Sequence, residues 1–83
     1  MDIQSDIVQV MSTLGFDPGD LRREARIKED LGIDSTEMTE VVVALENYFS
    51  LKIDTSAIDG FVTFGDVVGH LTEHLVANRA EKD

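Results

Sequence analysis

Apolar residues recur along this chain at steps of three and four, the spacing that collects them on one side of a helix. Ile3, Ile7, Val10, Met11 and Leu14 make the first such stripe. It predicts helix one over about residues 3 to 14, with Asp2, Ser5 or Asp6 near its positive end. The stripe stops at "GFDPGD", where Gly15, Pro18 and Gly19 break helical periodicity. Met38, Val41, Val42, Leu45, Tyr48 and Phe49 make the second and clearest stripe, predicting a helix from Ser35 or Thr36 to Ser50. Either Asp34 or Ser35 can cap it, and Glu37 stands three residues after Asp34, as in a capping box. Three consecutive valines lower its intrinsic propensity, so packing must hold it. A last stripe, Phe64, Val67, Val68, Leu71 and Leu75, follows Thr63 with Asp66 three residues on, another capping signal. Between these helices, Thr55 to Asp59 leaves room for one short turn, ended by Gly60.

The connection from Gly15 to Asp34 is long for a compact domain, and such loops tend either to be functional or to conceal a further element. Leu21, Ile27, Leu31 and Ile33 are irregularly spaced within it. They read as plugs that pin the loop to the core, with a short helix expected around Asp20 to Ala25. No strand alternation or hairpin dipeptide competes with the helical pattern. The predicted fold is all-α: a small three-to-four-helix bundle with a long loop between helix one and helix two. A single domain is expected over residues 1–77, followed by a frayed tail, 78–83.

A length of 83 residues allows one small domain with a thin core, and 42% hydrophobic residues suit a globular chain. The formal charge changes the picture more. Seven basic residues stand against 17 acidic ones, a net of −10. Such a surface repels phosphate backbones and anionic lipid, which argues against nucleic acid and membrane as partners and for basic protein patches. No apolar run reaches membrane-spanning length, and "MDIQSD" lacks the basic start and apolar centre of a signal peptide. With no cysteine, the chain has neither disulfide nor thiol chemistry of its own, which fits a cytoplasmic protein.

The apolar stripe of helix two turns Glu37, Thr39, Glu40, Val43, Glu46 and Asn47 outward. An apolar centre within an acidic rim is the anatomy of a docking patch, although a lone exposed valine is also ordinary surface. Ser35 lies at the head of that helix. Free backbone N–H groups and the helix dipole point outward there and would stabilise an attached phosphate ester. Ser35 as a simple cap remains an equally complete account of Ser35 taken alone.

The segment "DLGIDSTEMTEVVVALENYF" resembles the acyl carrier protein family, the carriers that bear phosphopantetheine. Leu31, Gly32, Asp34 and Ser35 match the family's glycine-containing loop and Asp-Ser pair. Glu40, Val42, Ala44, Leu45, Glu46 and Phe49 match the following helix in register. "IDTSAIDGFVTFGDVVGHL" is similar to the family's short third helix and Thr-led fourth, so the likeness spans about residues 3 to 76. It implies a non-catalytic carrier with 4′-phosphopantetheine covalently attached at Ser35, its thiol holding an acyl or aminoacyl group as a thioester. It implies a phosphopantetheinyl transferase, an acyl- or aminoacyl-loading enzyme, and downstream ketosynthase, condensation or acyltransferase enzymes as partners of a monomeric protein. Asp34, Thr36, Glu37, Thr39, Glu40, Val43, Glu46 and Asn47 would form the docking face. The family commonly has Leu after the serine, where this chain has Thr36, and acidic residues where it has Asn47 and Tyr48. Those departures favour polyketide, nonribosomal-peptide or related specialised biosynthesis, with fatty-acid synthesis or an unmodified acidic interaction module as alternatives.

Other signals are weaker. His70 and His74 are four apart on one helix but have no third ligand, so no metal site is expected. "KEDLGIDS" and "DTSAID" lack the alternating ligands and central glycine of a calcium loop. A hydrolase using Ser35 would need a base, and neither histidine has a sequence context that places it there.

Overall fold

Helix one forms where its stripe begins. Asp2 caps it, its carboxylate accepting from the backbone N–H of Gln4 and Ser5, and the helix, α1, runs Ile3–Thr13. The computed structural model describes the backbone of residues 2–82 and the side chains of residues 2–75. After α1 come a 3-10 turn, Pro18–Asp20, and three further helices: α2 Ser35–Phe49, α3 Thr55–Asp59 and α4 Phe64–Lys82. The described residues contain no strand, only one isolated bridge between Arg26 and Thr63. The all-α expectation therefore holds. The expected tail over 78–83 lies, for its side chains and for Asp83, outside the described residues.

The stripes meet in one core. α1 contributes Ile7, Val10 and Met11, α2 contributes Val41, Val42 and Leu45, and α4 contributes Phe64, Val67, Val68 and Leu71. Burying each large side chain stabilises the fold by roughly 1.5–3 kcal/mol. The long loop supplies Leu21, Ile27 and Ile33 to the same core, with Leu31 partly buried against it. The loop is thus pinned by plugs, as its sequence suggests.

Three expectations need correction. No helix forms over Asp20 to Ala25; the one turn of 3-10 helix lies earlier, at Pro18–Asp20. The loop instead passes in a series of turns beside the start of α4. Arg23 O and Ala25 O accept from the N–H groups of Gly65 and Phe64, and Ile27 N–H donates to Val62 O at 2.8 Å. A helix would have claimed those same backbone groups. Leu14, counted in the first stripe, is the C-cap of α1 and stands 43% exposed, because the chain turns away from the bundle there. Tyr48, counted in the second, is also exposed and meets Phe49 edge-on at 4.9 Å. It lies at the margin of the stripe, in the final turn of α2.

Two glycines are required by geometry. Gly32 has φ +66°, a left-handed conformation that turns the loop so that Ile33 enters the core just before α2. At Gly65 a Cβ would sit 2.8 Å from Arg23 O, so only glycine lets α4 approach the loop this closely. Thr63 and Asp66 form the predicted cap of α4: Asp66 N–H donates to Thr63 Oγ1, and Asp66 Oδ2 accepts from the N–H of Val62 and Thr63. Those backbone donors hold the Asp66 carboxyl below its ordinary pKa.

Candidate functional site

The head of α2 separates two jobs that the sequence leaves combined in Asp34 and Ser35. Asp34 is the N-cap: its Oδ1 accepts from Glu37 N–H at 2.8 Å, and Glu37 Oε1 accepts from Asp34 N–H at 3.3 Å. The capping box is complete without Ser35. Met38 N–H is taken by Asp34 O, leaving the N–H groups of Ser35 and Thr36, at the first helical positions, pointing out of the helix end. Ser35 is exposed, and among the described residues its hydroxyl makes no hydrogen bond. A serine with no capping duty, at the positive end of a 15-residue helix, is free to be modified.

The loop that delivers Ser35 is fixed on both sides. Asp30 Oδ2 accepts from Arg26 N–H at 2.8 Å, which also holds the Asp30 carboxyl below its ordinary pKa, with the Arg26 guanidinium adding to the effect. Ile33 N–H donates to Ile27 O, and Ile27 in turn donates to Val62 O. The loop that leads into Ser35 is therefore tied to the α3–α4 connection, although it lies far from it in sequence.

Beside Ser35 opens a cleft of about 570 Å³ between α2 and α3. Met38 and Val42 form the α2 side, Ile58 and Phe61 the α3 side, and Ile27 and Ile33 come from the loop. Lys28, Glu29 and Asp59 supply charge along the cleft. The residues present fit a phosphoester-linked arm at Ser35: the hydroxyl is accessible, the adjacent backbone donors are open, and an apolar cleft lies alongside. Thr39 Oγ1 donates to Ser35 O at 3.0 Å, so this hydroxyl is turned back along the helix.

A second groove, of about 510 Å³, lies on the opposite flank of α2, against Leu14 and Phe16. Glu37, Glu40 and Asn47 border it, and Thr39 and Val43 belong to both grooves. Val43 therefore crowns the exposed ridge of α2, 48% exposed. Most of the residues expected to form one docking face are gathered along this ridge. Asp34 lines the Ser35 cleft, while Thr36 is exposed and lines neither groove.

Glu46 departs from the expected outward face. It is half-buried, and its Oε2 accepts from Ile53 N–H at 2.8 Å. It sits about 100° round the helix from Leu45, on the flank where the α2–α3 loop returns. Lys28, Ile58, Phe61, Leu14 and Phe16 were missed as site residues. Only Leu14 carried a local signal, its place at the breaker that ends α1. His70 packs against Phe61, ring centroids 5.4 Å apart, and lies 6.1 Å from the His74 ring. No group of three metal-ligating side chains occurs among the described residues. No helix among them is long and apolar enough to cross a membrane.

Comparison with known proteins matches residues 7–71 to the family described as phosphopantetheine attachment site. The acyl carrier protein of Wolinella succinogenes is 36% identical over 72 residues, covering 86% of this chain and 95% of that protein. Those of Chlamydia trachomatis and Thermotoga maritima are each 31% identical over 75 residues, covering 89% of this chain and 97% and 93% of their own lengths.

Proposed function

The chain belongs to the acyl carrier protein family, as a non-catalytic carrier with a covalently attached 4′-phosphopantetheine, and from that premise we propose that Ser35 Oγ is the attachment point. The single observation that carries the assignment is the division of labour at the head of α2. Asp34 and Glu37 complete the cap, and the Ser35 hydroxyl is left exposed and unbonded. The attached group supplies a thiol at the end of a flexible arm, on which cargo is held as a thioester. The protein's own residues anchor and present it. The helix dipole and the open N–H groups of Ser35 and Thr36 stabilise the phosphoester charge. The Arg26–Asp30 turn and the Ile27–Val62 hydrogen bond hold the anchoring loop in place.

The docking face runs along the ridge of α2 from Asp34 and Thr36 through Glu37, Thr39, Glu40 and Val43 to Asn47. Acidic side chains there steer basic patches of the transferase, loading enzyme and downstream synthases towards Ser35. Glu46 belongs to the scaffold instead. Thr36, exposed beside Ser35, gives partners a hydroxyl where the family commonly offers Leu. That loss of apolar contact, on the order of a kcal/mol, favours service in polyketide, nonribosomal-peptide or related specialised biosynthesis over fatty-acid synthesis. The protein works in the cytoplasm as a monomer.

The test is intact mass after incubation with coenzyme A and a broad-specificity phosphopantetheinyl transferase. One addition is expected on the wild-type chain and none on Ser35→Ala. An addition that survives in Ser35→Ala would move the attachment point elsewhere.

A further inference from the structure

Among the described residues four large apolar side chains stand exposed: Leu14, Val43, Tyr48 and Val62. Two of them, Leu14 and Val43, face one another across the groove between the end of α1 and the outer flank of α2. Phe16 lines the same groove from the turn after α1, partly buried against the core and held by its N–H to Met11 O. The groove wall that comes from outside α2 is thus built rather than loose. Glu37 and Glu40 border the groove, and among the described residues no basic side chain lines it.

We propose that this groove seats a segment of a partner protein bearing an apolar side chain next to basic ones, with Leu14 and Phe16 as contact residues opposite Val43. The inference rests on the docking-face reading given above and refines it, adding to α2 a second wall from α1. Charge selects the occupant. A net of −10 with two carboxylates at the rim repels anionic lipid, nucleic acid and a second copy of this chain. Covering Leu14 and Val43 removes apolar surface from water, while the rim carboxylates remain wet and pair with Lys or Arg. The groove also has a polarity. Glu40 and Asn47 are seven residues apart, about 10 Å along the helix, so the charge lies at the Ser35 end and an uncharged amide at the other. A seated segment directs its basic end towards Ser35.

The experiment incubates the 15N-labelled protein with coenzyme A and the transferase, then titrates it with a synthetic amphipathic helical peptide carrying Leu residues on one face and Arg at one end. Two control peptides replace the Leu residues by Ser or the Arg residues by Glu. Saturable amide shifts at Leu14, Phe16 and Val43 are expected with the first peptide and not with either control. Leu14→Gln is expected to weaken binding about tenfold, with the far-UV circular dichroism and urea midpoint of the variant close to wild type. Val43→Ser should act in the same direction and gives a second reading if Leu14→Gln is unstable. Shifts that leave out Leu14 and Phe16, or equal binding by the Leu-to-Ser peptide, would overturn the proposal. The mass addition at Ser35, measured on the same preparation, reports on the carrier reading separately. Its absence beside an intact groove response would sink that reading and leave this one standing.

Discussion

The carboxylate of Glu46 accepts a hydrogen bond from the backbone N–H of Ile53 at 2.8 Å, tying the loop after α2 back onto the helix it has just left. Ile53 is buried in the core, so this one bond helps fix where the loop re-enters it. Glu46→Ala leaves the Ile53 N–H without its partner and is expected to cost about 1–3 kcal/mol. Glu46→Gln keeps an acceptor and should lose less. Urea denaturation of both variants checks this; equal and negligible losses would remove the bond from any account of stability.

Asp34→Ala should lower stability by about 1 kcal/mol, since it removes the cap of α2. Ser35→Ala should stay within about 0.5 kcal/mol of wild type. Thermal unfolding of the two variants distinguishes them. A larger loss at Ser35 than at Asp34 would mean that the serine is the cap after all.

Gly65 and Gly69 lie four residues apart on α4 and should respond to alanine with opposite signs. A Cβ at Gly65 meets Arg23 O at 2.8 Å, whereas one at Gly69 meets nothing within 4 Å. Gly65→Ala is expected to destabilise by about 1–3 kcal/mol through overpacking. Gly69→Ala should stabilise by roughly 0.5–1 kcal/mol through helix propensity. Denaturant midpoints of the pair provide the comparison, and a stabilising Gly65→Ala would contradict the close approach of loop and helix.

Leu45 is fully buried at the centre of the core. Leu45→Ala should cost about 2–5 kcal/mol. A near-neutral equilibrium unfolding result would place the α2 register in error.

Asp66 gives a pH dependence of known sign. Its folded pKa lies below the ordinary 3.8 because the Val62 and Thr63 N–H groups favour the charged carboxylate. Its contribution is therefore present above the unfolded value and is lost as pH falls through the lowered folded value. The difference in stability between wild type and Asp66→Asn should be largest near neutrality and shrink below about pH 4. Melting both proteins across that range tests it; a difference independent of pH would show that the charge on Asp66 plays no part.

The capping residues and the helical stripes were legible in the sequence because they are local. Asp34 with Glu37, Thr63 with Asp66, and the three- and four-residue spacing of Val41, Val42 and Leu45 all act within a turn or two of their own positions. The plugs of the long loop were legible in kind, since Leu21, Ile27 and Ile33 have no reason to be apolar in a solvated segment. The path of that loop was not. It follows from hydrogen bonds to Phe64 and Gly65, whose partners lie about forty residues away.

The Asp-Ser pair at the head of an amphipathic helix, the acidic surface and the family likeness were properties of residue order alone, because caps, charge and periodicity need no distant partner. Whether Ser35 or Asp34 closes the helix depended on how the chain enters α2. Whether Glu46 faces a partner or its own loop, and whether Leu14 belongs to the core or to a groove beside Val43, depended on which segments come to lie next to them. The place of Leu14 is set by a contact between parts of the chain that no short window of sequence contains, whereas the roles of Asp34 and Glu46 turn on the backbone path within a few residues, which residue types alone leave open.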